Sequence, residues 1–312
     1  MLSFLKLIRW PNLLMIIISM KLMLFFVISP ALGLSWFGGG MDVLEFFLLV
    51  MATLFIAIGG YLINDFFDMN ADTVNKPGDN QVGGKFSVML TQTLYWIFTI
   101  SGVLLGVLLA YLLNQINYAL VFLFVAGLLW FYSEKYQCQP LVGNVVVAIL
   151  SGLSFGLVWL FEFFALSNHA EIFTGVQSDF GLVNRLVLIY MGFAFVVSLL
   201  REVVKDIEDL KGDDRFGCRT FPVVYGKNKA RNIAVVIAIA GLLSAFWFQY
   251  YFFSASFIML FAYFFIVDIL FVGIIFFLLK AEKKSDYSKL ATLIKVLMLA
   301  GVLSMALFYF EF

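Results

Sequence analysis

The sequence predicts an all-α, polytopic membrane protein, with nine transmembrane helices in one bundle and cytoplasmic cap loops. Three observations predict it: the chain is 63% hydrophobic, it is only 13% charged, and long apolar runs recur along all 312 residues. A soluble core cannot hide this much apolar surface, so lipid must be the main solvent. The runs are continuous rather than alternating, which favours a helical bundle over a β-barrel.

The apolar runs that are long enough to cross about 30 Å of hydrocarbon give the positions of the nine spans. They lie near residues 13–29, 43–63, 89–113, 117–133, 141–165, 182–200, 232–250, 256–279 and 289–309. The first run continues past Ile28 without a small-residue cleavage site, so we expect a retained helix. We see no separate soluble domain and predict that residues 1–312 form one integral-membrane domain.

The basic residues are distributed unevenly, although the formal net charge is zero and nothing indicates nucleic acid binding. Of the 20 Lys and Arg residues, 17 precede the first span or follow spans two, four, six and eight. The opposite segments 30–42 and 166–181 contain neither residue type. The positive-inside rule then predicts an inner-membrane protein with a cytoplasmic N-terminus and with Phe312 outside.

Two acidic clusters lie at the predicted cytoplasmic ends of spans two and six. Their carboxylates have the same i, i+3, i+7 spacing, which places three of them on one face of a helix. The first cluster is Asp65, Asp68 and Asp72, and the second is Asp206, Asp209 and Asp213, each 141 positions after its counterpart. We interpret the two segments, 64–72 and 206–213, as a repeated element.

Carboxylates held this close repel one another unless a cation neutralises them. A set of oxygen ligands suits a hard ion such as Mg²⁺, which keeps waters and bridges substrate phosphates. We therefore predict Mg²⁺ as cofactor. The expected ligands are Asn64, Asp65, Asp68, Asp72, Asp206, Asp209 and Asp213, with Asp206 alternatively a base on the acceptor side.

Basic residues interleaved with these acids are candidates to contact a diphosphate that bridges to the metals. The candidates are Lys76, Lys135, Arg201, Lys205 and Arg219. Arg201 and Lys205 are the strongest of them, because they lie within one helical turn of the second cluster. Asn64 is a second type of candidate, as a residue that touches phosphate or orients a metal ligand.

At these residues the sequence resembles the UbiA superfamily of intramembrane prenyltransferases. The family motif NDxxDxxxD is matched by Asn64, Asp65, Asp68 and Asp72, and DxxxD is matched by Asp209 and Asp213. The resemblance also includes RWPN at 9–12, which adds Asn12 as a substrate-binding candidate, and PLVGN at 140–144. It implies catalytic roles for Asp68, Asp72, Asp209 and Asp213, and a lipid-accessible cavity for an isoprenoid tail.

Within the superfamily, the stretch REVVKDIEDLKGD most resembles the geranylgeranylglyceryl phosphate geranylgeranyltransferases. The resemblance implies Mg²⁺-dependent transfer of a prenyl group to a membrane-associated acceptor of the geranylgeranylglyceryl phosphate type. An aromatic acceptor of the 4-hydroxybenzoate or naphthoate type is the alternative. Two segments depart from the family, which often has basic residues where this chain has Gln137 and Cys138, and where it has GDNQ at 78–81.

Two other classes of protein are compatible with nine spans. A transporter would place its acids within the spans rather than at their cytoplasmic ends. A prenyl-lipid-binding protein without catalysis would be expected to have lost motif acids, and none is replaced here. The sequence leaves the acceptor, the prenyl chain length and the oligomeric state open.

Some polar residues remain outside these motifs. Lys21, Asp268 and Lys295 lie inside predicted spans, where charge is costly and often functional. Cys138 and Cys218 have no metal-ligand spacing and fall on the predicted cytoplasmic side, so we expect reduced and inert thiols.

Overall fold

In the computed structural model, residues 2–75 and 81–312 are described, and these residues form a helical membrane protein. The described part contains nine helices that are long and apolar enough to cross a membrane. They are α1 Trp10–Ala31, α2 Val43–Phe67, α3 Val88–Leu112, α4 Ile116–Glu134, α5 Val142–Ser167, α6 Ala170–Arg215, α7 Lys227–Ser254, α8 Ile258–Lys280 and α9 Lys284–Phe310. The predicted fold class and number of spans are confirmed.

Lipid accounts for both the length and the surface of these helices. At 1.5 Å per residue, the 25 residues of α2 extend about 38 Å, enough to cross the hydrocarbon core. Large apolar side chains such as Leu104, Leu188 and Ile269 expose more than 60% of their surface in mid-helix. Water would make such exposure costly, whereas lipid tails do not.

Small residues let neighbouring helices approach closely. A Cβ at Gly102 of α3 would lie 3.0 Å from the carbonyl oxygen of Ala52 in α2. A Cβ at Gly152 of α5 would lie 2.9 Å from the carbonyl oxygen of Met191 in α6. Glycine at these positions allows the backbones to pack at van der Waals distance, which is the main attraction between helices in lipid.

Three short helices lie at one end of the bundle, together with the loops that carry the predicted motifs. They are Leu2–Leu7, Met69–Asn75 and Phe221–Tyr225. The second motif lies on the last turns of the helix Phe180–Arg215, so the predicted helical face is present there. In the first motif, α2 ends at Phe67 with Asp68 as its C-cap, and the chain continues into the short helix Met69–Asn75, which carries Asp72.

Candidate active site

The first motif is bound to the N-terminal segment through Arg9. Its guanidinium donates to Asn64 Oδ1 at 2.9 Å and to Asp65 Oδ1 at 2.5 Å. It also lies 5.0 Å from the centre of the Tyr61 ring. Arg9 adopts a left-handed conformation (φ 53°), uncommon for a residue other than glycine, immediately before α1. The sequence analysis did not single out Arg9, although it lies in the RWPN segment.

Electrostatics explains why the cation is held there. Burial alone would lower the pKa of Arg9, but the nearby Asp65, Tyr61 and Asp68 together outweigh burial and raise it. The Asp65 side chain is 10% exposed and that of Arg9 26%, so the pair is partly removed from water. The pair fixes the end of α2 against the start of α1.

Gln137, in the loop between α4 and α5, clamps the first motif from the other side. Its Oε1 accepts from Asn64 Nδ2 at 2.5 Å, and its Nε2 donates to Asp68 Oδ1 at 3.0 Å. Burial raises the pKa of Asp68 to about 6, although Lys205 partly opposes this shift. A neutral amide thus holds the motif where the family often has a basic residue.

We expect Gln137→Ala to weaken Mg²⁺ binding by about 10- to 100-fold, the usual effect of removing a residue that orients a metal ligand. Titration of Mg²⁺ against transfer activity measures this change. Gln139→Ala, two residues away, is the matched control. Equal Mg²⁺ dependence in the two variants would contradict an orienting role for Gln137.

The second motif has its own polar partners. Asp206 Oδ2 accepts from Asn144 Nδ2 at 2.9 Å, and Asp213 Oδ2 accepts from Thr220 Oγ1 at 3.2 Å. Asn144 belongs to the PLVGN segment at the start of α5. The first turn of α5 and the loop that follows α6 therefore position this motif.

A direct contact joins the two motifs. Asn75, which ends the short helix after the first motif, accepts from the Gly212 backbone N–H at 3.0 Å. A Cβ at Gly212 would lie 2.4 Å from the Asn75 side chain, so only glycine fits. Asp68 is also close enough to Asp213 and Lys205 to interact with them electrostatically. The two acidic motifs therefore face one another across one mouth.

No group of three or more His, Cys, Asp or Glu side chains is close enough to hold a metal ion within residues 2–75 and 81–312. Four of the motif carboxylates instead accept hydrogen bonds from other side chains. Asp65 accepts from Arg9, Asp68 from Gln137, Asp206 from Asn144 and Asp213 from Thr220. Mg²⁺ usually takes only one or two carboxylates and completes its shell with waters and substrate phosphates. The facing carboxylates therefore fit Mg²⁺ bound together with a diphosphate, and the ligand set stays a prediction.

Two cavities meet at this mouth. The larger, of about 510 Å³, runs into the bundle between α1, α2, α4, α5, α6 and α9. The smaller, of about 370 Å³, lies among polar residues that include Asp65, Asp72 and Gln81. The larger cavity has the volume of a typical ligand site and is mostly apolar, with Phe155 and Tyr190 in its wall.

Both cavities share a set of basic residues. These are Arg9, Arg201, Lys205 and Lys295, together with the polar Asn12. The structure thus brings Asn12, Arg201 and Lys205 to the mouth. Lys135 and Arg219 are exposed and line neither cavity, and Lys76 lies outside the described residues. The sequence analysis placed Lys295 in a span without assigning it a role.

The two cysteines are paired, so the expectation of reduced, inert thiols is wrong in this structure. Cys138 and Cys218 form a disulfide that joins the loop before α5 to the loop after α6. Cys138 follows Gln137 directly, and the Cys218 N–H donates to the Asp213 carbonyl at 2.9 Å. The disulfide therefore links the loop of Gln137, which holds the first motif, to the end of the second motif. Nothing in the sequence spacing indicated it, because the partners are 80 positions apart.

These features define a class: an integral-membrane protein whose apolar cavity opens at a mouth lined by paired carboxylates and by cations. Residues 22–308 match the model of the UbiA prenyltransferase family. The chain belongs to the UbiA prenyltransferase family. This agrees with the predicted resemblance and with the prediction of a prenyltransferase, so the transporter alternative is set aside.

Curated relatives of the chain share one name. This chain is 31% identical to the digeranylgeranylglyceryl phosphate synthase of Methanosphaera stadtmanae, over 81% of this chain and 84% of that protein. It is 29% identical to the synthase of Methanobrevibacter smithii over 62% of each chain. The matched region thus spans less than two thirds of the latter protein.

Solved structures share the fold. One, described as giving insight into digeranylgeranylglyceryl phosphate synthase in membranes, has a TM-score of 0.62 at 24% identity and covers 99% of this chain and 98% of its own. A UbiA homologue from Archaeoglobus fulgidus, bound to DMAPP and Mg²⁺, has a TM-score of 0.52 at 13% identity. It covers 97% of this chain and 99% of its own.

Proposed function

We propose that this protein catalyses the Mg²⁺-dependent transfer of a geranylgeranyl group from its diphosphate to geranylgeranylglyceryl phosphate. The observation that carries the proposal is the mouth: four cations line both cavities, Asp65 and Asp72 of the first motif line the smaller one, and the second motif faces the first. A prenyl diphosphate has the matching chemistry, with a strongly anionic head and a hydrocarbon tail. The name shared by the curated relatives supports the glycerol-phosphate acceptor over an aromatic one.

In this reaction the allylic C–O bond to diphosphate breaks, and an ether bond forms between the same carbon and a hydroxyl oxygen of the acceptor. Diphosphate leaves with the electron pair of the broken bond and takes up the proton that the hydroxyl loses. Bound Mg²⁺ supplies charge neutralisation of the diphosphate. Arg9 and Lys205 contribute fixed positive charge beside it, which favours the separation of charge in the transition state.

The prenyl carbon becomes electron-poor as the diphosphate departs, and water must not reach it. The cavity wall below the mouth is built from apolar side chains such as Phe122, Leu129 and Val197, which supports the exclusion of water. We infer that the tail lies among these residues and that the reacting carbon lies near the mouth.

We further propose that the mouth faces the cytoplasm, with the C-terminus outside. The uneven distribution of Lys and Arg supports this orientation. The loops at the mouth carry most of the basic residues, whereas the segments 30–42 and 166–181 carry none. A cytoplasmic mouth also gives access to a charged, water-borne diphosphate head.

The test is a transfer assay on the purified full chain with labelled geranylgeranyl diphosphate, Mg²⁺, and either geranylgeranylglyceryl phosphate or 4-hydroxybenzoate as acceptor. We expect label in the ether lipid and its loss on addition of EDTA. Label only in the aromatic product would overturn the acceptor, and no transfer to either would overturn the function.

The same assay in sealed vesicles tests the orientation. EDTA does not cross a bilayer, so we expect external EDTA to stop transfer in inside-out vesicles and to spare it in right-side-out ones. Inhibition in right-side-out vesicles alone would reverse the proposed orientation.

A further inference from the structure

Lys295 is a charged residue within a membrane-spanning helix. It lies 11 residues after the start of α9, which places it about 16 Å along the helix axis. A charge at such a depth is costly unless it faces a polar cavity or a ligand. Lys295 lines both cavities of the mouth, so its ammonium group is directed to the space where substrates bind.

The neighbours of Lys295 are mainly cations. Arg9, Arg201 and Lys205 all repel it electrostatically. Glu202 attracts it, but this carboxylate already accepts from Arg201 at 2.5 Å. Among the described residues, the wall of the larger cavity contains four cations and one carboxylate. Arg9 and Arg201 are paired with Asp65 and Glu202, and the remaining positive charge of this wall favours the binding of an anion.

Lys295 lies on a different helix from the predicted metal ligands, although it lines the smaller cavity together with Asp65 and Asp72. The motif carboxylates lie on α2, α6 and the short helix Met69–Asn75, and none lies on α9. Lys295 instead belongs to a face of α9 that lines the cavity and is exposed along its length. The face consists of Thr292, Lys295, Val296 and Leu299, at i, i+3, i+4 and i+7. This side of the cavity is therefore open rather than packed against a neighbouring helix.

We propose that Lys295, together with Arg201, binds the phosphate monoester of the acceptor lipid at this open face of α9. The inference rests on the proposed function, which requires two anionic heads at one mouth. The diphosphate of the donor is matched to Mg²⁺ and the carboxylates. The acceptor brings no metal requirement of its own and would be repelled by free carboxylates, so its phosphate is matched to Lys295 on the open face of α9 and to Arg201 in the same cavity wall.

The open face also suits the rest of the acceptor. Val296 exposes 47% of its surface and Leu299 38%, and both lie within a turn or so of Lys295. A lipid that approaches through the membrane would place its hydrocarbon against these side chains while its phosphate meets the ammonium. Lys295 would then select phosphorylated acceptors over their dephosphorylated forms.

The experiment compares the wild-type chain with Lys295→Gln, Lys295→Arg and the control Lys289→Gln. Lys289 lies on the same helix, is exposed and lines neither cavity. In steady-state assays we expect Lys295→Gln to raise the KM for geranylgeranylglyceryl phosphate at least about tenfold, the loss of one charge-assisted contact, and to leave the donor KM within about twofold. Lys295→Arg should restore the acceptor KM. A rise confined to the donor KM would overturn the proposal.

A binding arm, with EDTA and without donor, separates this inference from the proposed function. It titrates each variant with geranylgeranylglyceryl phosphate, geranylgeranylglycerol and inorganic phosphate. A preference for the phosphorylated lipid that disappears in Lys295→Gln supports the site even if no transfer is observed. The same preference in Lys295→Gln, or equal binding of the two lipids by wild type, overturns it. Tight binding of inorganic phosphate alone would also overturn a lipid site.

If Lys295→Gln fails to fold, Arg201→Gln tests the same site. We expect it to show the same loss of preference for the phosphorylated lipid. An unchanged preference in Arg201→Gln would remove Arg201 from the proposed site.

Discussion

Asp68→Asn is expected to lower kcat/KM for prenyl transfer by about 10²- to 10³-fold, the usual effect of removing one group that stabilises developing charge. The substitution removes a carboxylate charge from the mouth but keeps the size of the side chain. An asparagine oxygen at this position is still able to accept from Gln137 Nε2, which lies 3.0 Å from Asp68 Oδ1. The local fold should therefore survive while Mg²⁺ and diphosphate binding weaken.

Asp214→Asn is the matched control for this prediction. Asp214 is exposed and follows Asp213 directly, but it belongs to neither motif spacing. Steady-state kinetics at several Mg²⁺ concentrations measure both variants. Activity of Asp68→Asn within about threefold of the control would contradict a catalytic role for the first motif.

Arg9→Gln is expected to lower kcat/KM by about 10²-fold and to lower the thermal stability of the protein. The variant loses the bonds to Asn64 and Asp65 and leaves the Asp65 carboxylate, which is only 8% exposed, without its cation. Because the Arg9 side chain is 26% exposed, we expect the loss of stability to be smaller than the roughly 3–5 kcal/mol that breaking a fully buried pair costs. Arg9→Lys should recover only part of the loss, because an ammonium can donate to both acceptors but lacks the planar group that lies over the Tyr61 ring.

The donor KM, the Mg²⁺ titration and the melting temperature measure these effects. Lys229→Gln is the control, since Lys229 is exposed on α7 and lines neither cavity. A normal donor KM in Arg9→Gln, with only stability reduced, would limit Arg9 to a structural role.

Much of the candidate site could be predicted because its residues are close in sequence. Asp206, Asp209 and Asp213 share one helix, so their spacing alone puts them on one face. The partners of these acids could not be predicted in the same way. Gln137 binds Asn64 across 73 positions and Asn144 binds Asp206 across 62, and such separations become contacts only when helices pack.

The departure from the family at Gln137 and Cys138 illustrates the limit. In the sequence, these two residues indicate only that the positive charge often found there in the family is missing. In the folded chain, Gln137 binds Asn64 and Asp68, and Cys138 is bonded to Cys218. The lost charge is not replaced by Lys135, which is exposed and lines neither cavity, but the mouth has Arg9 and Lys295.

The nine spans and the two acidic motifs can be predicted from the sequence alone, because the thickness of the hydrocarbon core dictates helix length and the helical repeat dictates which side chains share a face. Which polar groups meet at the mouth depends on how the helices pack. Arg9, Gln137 and Lys295 come from three separate elements of the chain. They become neighbours because small residues allow the helices of the bundle to pack closely.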